Sequence, residues 1–234
     1  MLGTIVNAIA IIIGGSLGVL LKKGIPQNYK NTIMQGIALS VFVIGMSGAL
    51  KSNNILLVIF SIAIGSIIGE KLGIENKLDQ VGNWLESKLS SKYGNVAKGF
   101  VTASLVYCVG AMAIVGSLES GMTGDHSTLF AKSLLDGISS ILFASTLGIG
   151  VVFSSIAVFI YQGTITLFAS LIGGLLTEAV ILEMSAIGGI LIMGISINIL
   201  EIKKISVGNM LPAMFIPILY QIIEPFFAVI INIF

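Results

Sequence analysis

The chain has little of what a water-soluble protein of its size requires. Of its 234 residues only 10% are charged, while 56% are hydrophobic, and the mean hydropathy is +1.06. Eleven acids and twelve bases cannot cover a soluble surface of this area. All twelve bases are lysine, so the arginine-rich arm or cluster of a nucleic-acid-binding protein is missing. The single cysteine, Cys108, excludes an intramolecular disulfide and a cysteine-based metal site. The single histidine, His126, has no companion ligand and reads as a solvated loop residue rather than a metal site or proton switch. Enzymatic readings fail for want of parts: there is no His-Glu-x-x-His spacing and no Gly-Lys-Ser loop to cradle phosphate. No cofactor is expected. With no ATP-binding module, uphill transport would have to draw on an ion gradient, Na+ or H+. The first apolar run has no basic flank before it and ends at Lys22-Lys23, so it does not read as a cleavable signal.

What is present is a succession of apolar runs near the roughly 20 residues a helix needs to cross a bilayer. The expected fold is an all-α polytopic transmembrane bundle of about eight spans. Gly3 to Leu21, Thr32 to Leu50 and Ile55 to Leu72 are the first three, with Asn53-Asn54 before the third. Gly65, Gly69 and Gly73 fall at small-xxx-small spacing, which ordinary bundle packing explains. From Ile74 to Tyr93, Ile74, Leu78, Val81, Leu85 and Leu89 recur every three or four residues with acids and lysine off the stripe. That amphipathic helix, carrying the lone Trp84, would lie at the membrane interface or pack on a partner. The later spans are expected at Phe100 to Leu118, Ile138 to Tyr161, Gly163 to Leu182, Ser185 to Leu200 and Asn209 to Ile231. Pro212, Pro217 and Pro225 would kink the last.

Two of these spans contain small and polar residues in mid-run. Cys108, Gly110, Ala111, Met112, Gly116 and Ser117 interrupt the fourth; Ser145, Thr146, Gly148 and Gly150 interrupt the fifth. Non-helical backbone at membrane depth is tolerated only where protein or a watery cavity surrounds it. Discontinuous helices of this kind build the midplane sites of many transporters. Both groups are therefore candidate solute- or ion-binding residues, with close helix packing as the alternative. Between them the most polar outer loop is expected over 119–137.

With these eight spans, ten lysines fall on one side and only Lys51 and Lys132 on the other. The lysine-rich side is then cytoplasmic, both termini lie outside, and Glu183-Met184 is an outer loop. Four short matches repeat in order: Gly3-Thr4-Ile5 with Gly163-Thr164-Ile165, Ile13-Gly14-Gly15 with Ile172-Gly173-Gly174, Gln35-Gly36-Ile37 with Gly188-Gly189-Ile190, and Asn54-Ile55-Leu56 with Asn209-Met210-Leu211. They suggest an inverted repeat in a three-plus-two-plus-three plan. Its parts would be 1–73, an interfacial linker 74–99, an interrupted central pair 100–161 and a second repeat 162–234. A fainter echo joins Ser104-Leu105-Val106-Tyr107-Cys108 to Ser140-Ile141-Leu142-Phe143-Ala144. The central pair has no second copy to close a cavity, and a homodimer would supply the walls.

Single polar residues add candidates for a pathway or gate. Lys132 and Asp136 stand at helical i,i+4 spacing near Asp125, either at the mouth of a pathway or as a weak surface ion pair. Gln162 and Thr164 line a vestibule or satisfy a turn. Asn7 and Asn198, inside spans, bond across helices or hold a coupling ion. Glu178 is an intramembrane acid, functional or snorkelling to the surface. Glu70 and Glu224 read as boundary charges.

Several of these segments also carry a resemblance. They are Cys108 to Ser117, Gly124-Asp125, Lys132 to Gly137, Gly148 to Val151, Tyr161 to Leu167 and, at the start, Gly3-Thr4-Ile5-Val6-Asn7. Together they resemble the YqgA/YdfK-like family of bacterial inner-membrane proteins, along essentially the whole chain. The resemblance implies a multi-pass protein of the bacterial cytoplasmic membrane. It does not imply an activity, because that family is described only as membrane proteins or transporters. The expected function is a secondary transporter of a small solute or ion, in contact with the lipid bilayer and no nucleic acid. A passive channel and a non-transporting scaffold or sensor acting through the Trp84 helix are the alternatives.

Overall fold

The computed structural model describes residues 1–21, 26–89 and 96–231. Lys22-Lys23 and the end of the amphipathic stretch, 90–93, lie outside the described residues. All regular structure among those described is helical: α1 (Leu2–Leu21), α2 (Gln27–Ala49), α3 (Ile55–Leu72), α4 (Ile74–Lys88), α5 (Val96–Cys108), α6 (Ala111–Met122), α7 (Ser127–Leu147), α8 (Gly150–Leu167), the short α9 (Ala169–Ile172), α10 (Glu178–Ile199), α11 (Val207–Met210) and α12 (Ile216–Ile231). Among the described residues six helices are long and apolar enough to cross a membrane: α1, α2, α3, α7, α8 and α10. The α5–α6 pair, bent by 61°, makes a seventh if it is one broken span, and Val207–Ile223 forms a shorter apolar segment.

Glycine sets the packing. An added Cβ would stand 2.7 Å from Leu129 at Gly3, 2.1 Å from the Gly137 carbonyl at Gly14 and 2.9 Å from Ala144 at Gly18. These pairs advance together, so α1 and α7 run parallel, with backbones closer than any larger residue allows. Gly15 meets Val152 while Thr4 meets Thr166, so α8 runs antiparallel to α1. Gly45 and Gly48 meet Gly189 in the same way, and Ser196 Oγ donates to the Ala38 carbonyl at 2.6 Å, so α2 and α10 pack antiparallel. Gly65 and Gly69 seat Ala213 and Asn209 against α3. Among the described residues, Lys30, Lys71, Lys77, Lys88, Lys98, Lys203 and Lys204 gather at one end of this bundle, and Lys51 lies at the other.

The helix boundaries correct several expectations. The stretch 119–137 is not a loop: α6 continues to Met122, a turn follows, and α7 starts at Ser127. The expected span Ile138 to Tyr161 is two helices. Gly148, with φ 87°, ends α7, and α8 returns antiparallel to it, so the second interruption is a reversal rather than a mid-span break. Gly163 to Leu182 is not a span either; it holds the end of α8, α9, a 3-10 turn at Gly173–Leu175 and the start of α10. Gly163-Thr164-Ile165 lies within α8 and therefore does not open a helix as Gly3-Thr4-Ile5 does. Asn54 N-caps α3 by accepting from the Leu57 amide, whereas Asn209 sits in α11 and makes a different set of bonds. Glu183-Met184 lies inside α10, not in an outer loop.

The amphipathic helix is α4. Gly73, in the left-handed conformation at φ 61°, ends α3 and lets α4 leave at once in a new direction. Glu75 turns inward, Glu86 accepts from the Ala97 amide at 2.9 Å, and Asp79 pairs with Lys204 at the surface. Trp84 and Val81 stay exposed, the arrangement of a helix lying on an interface.

Candidate functional site

Three polar stripes, each at helical spacing, converge between α1, α7 and α8. They are Thr4 and Asn7; Lys132, Asp136 and Ser140; and Gln162 and Thr166, all buried. Lys132 Nζ donates to Asp136 Oδ1 at 3.1 Å and lies 3.0 Å from Oδ2. Asn7 Nδ2 reaches both Asp136 Oδ2, at 3.0 Å, and Gln162 Oε1, at 3.2 Å. The hydroxyls of Thr4 and Thr166 close the row at 3.4 Å. Only the glycine contacts of α1 bring Asn7 near enough to touch two other helices. Two atoms are left over: Asn7 Oδ1, an acceptor, and Gln162 Nε2, a donor, are buried with no hydrogen-bond partner. Leaving such a group unpaired costs about 1–3 kcal/mol, so the pair of orphans is where a water, ion or solute would bind most favourably.

The break in α5–α6 adjoins this network through α7. Tyr107, in the last turn of α5, shares a 2.9 Å hydrogen bond with Ser140 and packs edge-on against Phe143. The two segments that echo each other in sequence thus face each other in space. Gly110 has φ 135°, and no side chain caps α6. Ser104 and Ser117, on either side of the break, carry buried hydroxyls without partners. Open space surrounds Gly110, so its requirement is conformational. Gly110→Ala is expected to cost about 1–3 kcal/mol of stability, read as a lowered unfolding temperature in detergent.

The remaining sequence candidates have simpler placements. Cys108 is half-buried beside the break and Met112 is exposed. Gly116 packs on Leu129, and Gly150 meets the Val96 carbonyl. Ser145 donates to its own helix at Leu142, and Thr146 to Leu142 and Phe143, so neither hydroxyl opens α7. Asp125 accepts from the Ser127 amide at 2.9 Å, which holds its carboxyl below the usual range. Thr164 is exposed and bonds back to Ile160. Glu178 lies exposed in the first turn of α10, where a negative charge suits the helix dipole. Asn198 both donates to and accepts from the Ile205 backbone at 2.7 Å, pinning the loop after α10. The side chain of Glu224 is outside the described residues.

Two polar knots escaped the sequence reading because each joins residues more than 100 positions apart. Glu183 accepts from Ser52 Oγ and from the Asn53 and Asn54 amides, a carboxylate placed at the start of α3. At the lysine-bearing end Glu75 accepts from the Gly208 amide at 2.7 Å, while Asn209 bridges the Glu75 amide and Glu70. Burial raises the Glu75 pKa above 4.5 despite the Gly208 bond. An acid with a raised native pKa favours the fold below its unfolded value, and that contribution is lost as pH rises through the native value. Glu75→Gln should therefore remove this pH-dependent loss and unfold at a higher temperature than the wild type at pH 7, in a thermal scan across pH.

Stacked membrane-length helices, a glycine-packed interior and a buried polar network define a polytopic helical membrane protein. Residues 2–222 match the family described as "Protein of unknown function (DUF554)", and the chain belongs to that family. It is 35% identical over 221 residues to the "Uncharacterized membrane protein YdfK" of Bacillus subtilis (strain 168), covering 93% of this chain and 94% of that protein. It is 32% identical over 219 residues to the "Uncharacterized protein YqgA" of Escherichia coli (strain K12), covering 92% and 93%. No solved structure matches it.

Proposed function

We propose that the protein is an ion-coupled permease for a small solute, in a bacterial cytoplasmic membrane with its lysine-rich end inside. The observation that carries this reading is the network of Asn7, Lys132, Asp136 and Gln162, buried among apolar helices with one donor and one acceptor unpaired. Ionisable residues inside a membrane bundle are costly and mark ion or substrate paths. Lys132 and Asp136 neutralise each other, so a proton or cation arriving at Asp136 would release Lys132 and change the charge seen by a solute. The bend at Gly110 gives α6 a hinge on which such a change can act.

A reconstitution experiment tests the reading. Purified protein in liposomes carrying a pH or Na+ gradient is challenged with pools of small solutes, and internal pH and accumulated label are followed. Saturable, gradient-dependent uptake that Asp136→Asn abolishes supports it. Unsaturable conductance would make the protein a channel, and no flux with any pool would leave the scaffold reading.

A further inference from the structure

Two cavities open side by side at the lysine-bearing end, away from the network between α1, α7 and α8. The first, of about 480 Å³, is lined by Lys30, Asn31, Gln35 and Thr146. The second, of about 420 Å³, is lined by Thr102, Asn198, Lys203, Lys204 and Asp79. Lys98 and Glu201 line both, and their ion pair, 2.5 Å from Nζ to Oε1, is the shared wall. The walls hold four lysines against two acids. Lys98 and Lys204 have acidic partners, while Lys30 and Lys203 form no ion pair among the described residues. Side-chain amides and hydroxyls supply the rest of the polar lining.

Glu201 is conformationally out of place. It follows the end of α10 at φ 58°, a left-handed position. The Glu201 amide bonds to the Asn198 carbonyl and the Ile202 amide to Ile197, the pair of bonds that closes a Schellman helix end. Glycine takes that position at the least cost, whereas glutamate is strained there. What glutamate adds is a carboxylate on Lys98. Because the Glu201 side chain is three-quarters exposed, the pair adds little stability and is readily exchanged.

We propose that the twin cavities are the inner entrance for a small oxyanion, a carboxylate- or phosphate-sized solute, which takes the place of the Glu201 carboxylate on Lys98. The inference deepens the permease reading by naming its substrate class. Equilibrium binding at the entrance is read without transport, so either reading can fail alone.

The test uses the full chain in phosphatidylcholine nanodiscs, titrated calorimetrically with inorganic phosphate and with acetate at low salt. Lys98→Gln is expected to weaken binding at least about tenfold, the loss of one charge-assisted contact. Lys98→Arg should stay within about threefold of wild type, which excludes misfolding as the cause. Glu201→Gln removes the competing carboxylate and is expected to tighten binding about fivefold. Both glutamine variants break the same ion pair, so shifts of opposite sign do not come from loss of the pair itself and place the anion beside Lys98 and Glu201. Equal shifts, or none, would overturn the proposal and leave the lysines as orientation signals alone. A second set of discs with added phosphatidylglycerol separates the sources of oxyanion. Phosphate affinity within about twofold of the first set supports a soluble ligand, and its loss would assign the site to lipid headgroups and overturn the solute reading.

Discussion

Asp136→Leu will lower stability by about 3–5 kcal/mol, the cost of leaving one partner of a buried ion pair alone. Lys132 then keeps its charge inside the bundle with its carboxylate gone, and Asn7 loses one of its two acceptors. Lys132→Met combined with Asp136→Leu removes both charges and should recover most of that loss, because a well-packed apolar pair replaces a buried ion pair at little cost. Uptake should not return in the double variant. Thermal unfolding in detergent and liposome flux, measured on the same preparations, separate the two roles. Recovery of both fold and flux would show that the pair serves packing alone.

Gly14→Val will have an effect of similar size for a steric reason. Its Cβ would stand 2.1 Å from the Gly137 carbonyl oxygen, a backbone atom that cannot swing aside. The α1 and α7 helices would have to part, which costs about 1–3 kcal/mol in overpacking alone. Separation would also draw Asn7 away from Asp136 and Gln162, so the loss should exceed the overpacking figure. Gly36→Val is the matched control, since nothing lies within 4 Å of a Cβ there. Monodispersity on size exclusion should fall for the first variant and hold for the second.

Much of the bundle was legible in the chain, and its failures have physical causes. Length and apolarity located α1, α2 and α3, and Asn54 caps α3 where Asn53-Asn54 precede it. Gly73, expected to pack with Gly65 and Gly69, instead ends α3 at a positive φ with nothing within 4 Å of an added Cβ. The α7 helix was hidden because Lys132 and Asp136 each look too costly for a span. Paired with each other and with Asn7, they are carried inside together, a saving visible only once the partners are known. Ser145 and Thr146 suggested a broken helix, yet their hydroxyls bond to their own turn and leave it intact. The chain does reverse two residues later, at Gly148.

The site was legible in its parts and not in its assembly. Asn7 stood out as an amide inside a span, Gln162 as a polar residue at an expected junction that is instead the interior of α8, and Lys132 with Asp136 as an i,i+4 pair. Nothing in local sequence says that residues 155 and 129 positions apart share hydrogen bonds. The spacing 132, 136, 140 and the spacing 162, 166 each place polar groups on one helix face, and that was the available signal.

The most direct measurement places cysteine at Gln162 and asks from which side of the membrane a charged, impermeant thiol reagent reaches it. Labelling of the wild-type chain, whose only thiol is Cys108, supplies the background. An alternating-access site between α1, α7 and α8 predicts that Gln162→Cys reacts above background in both right-side-out and inside-out vesicles. A thiol at that position that stays unreactive from either face would contradict a pathway through the network and mark it as sealed protein core.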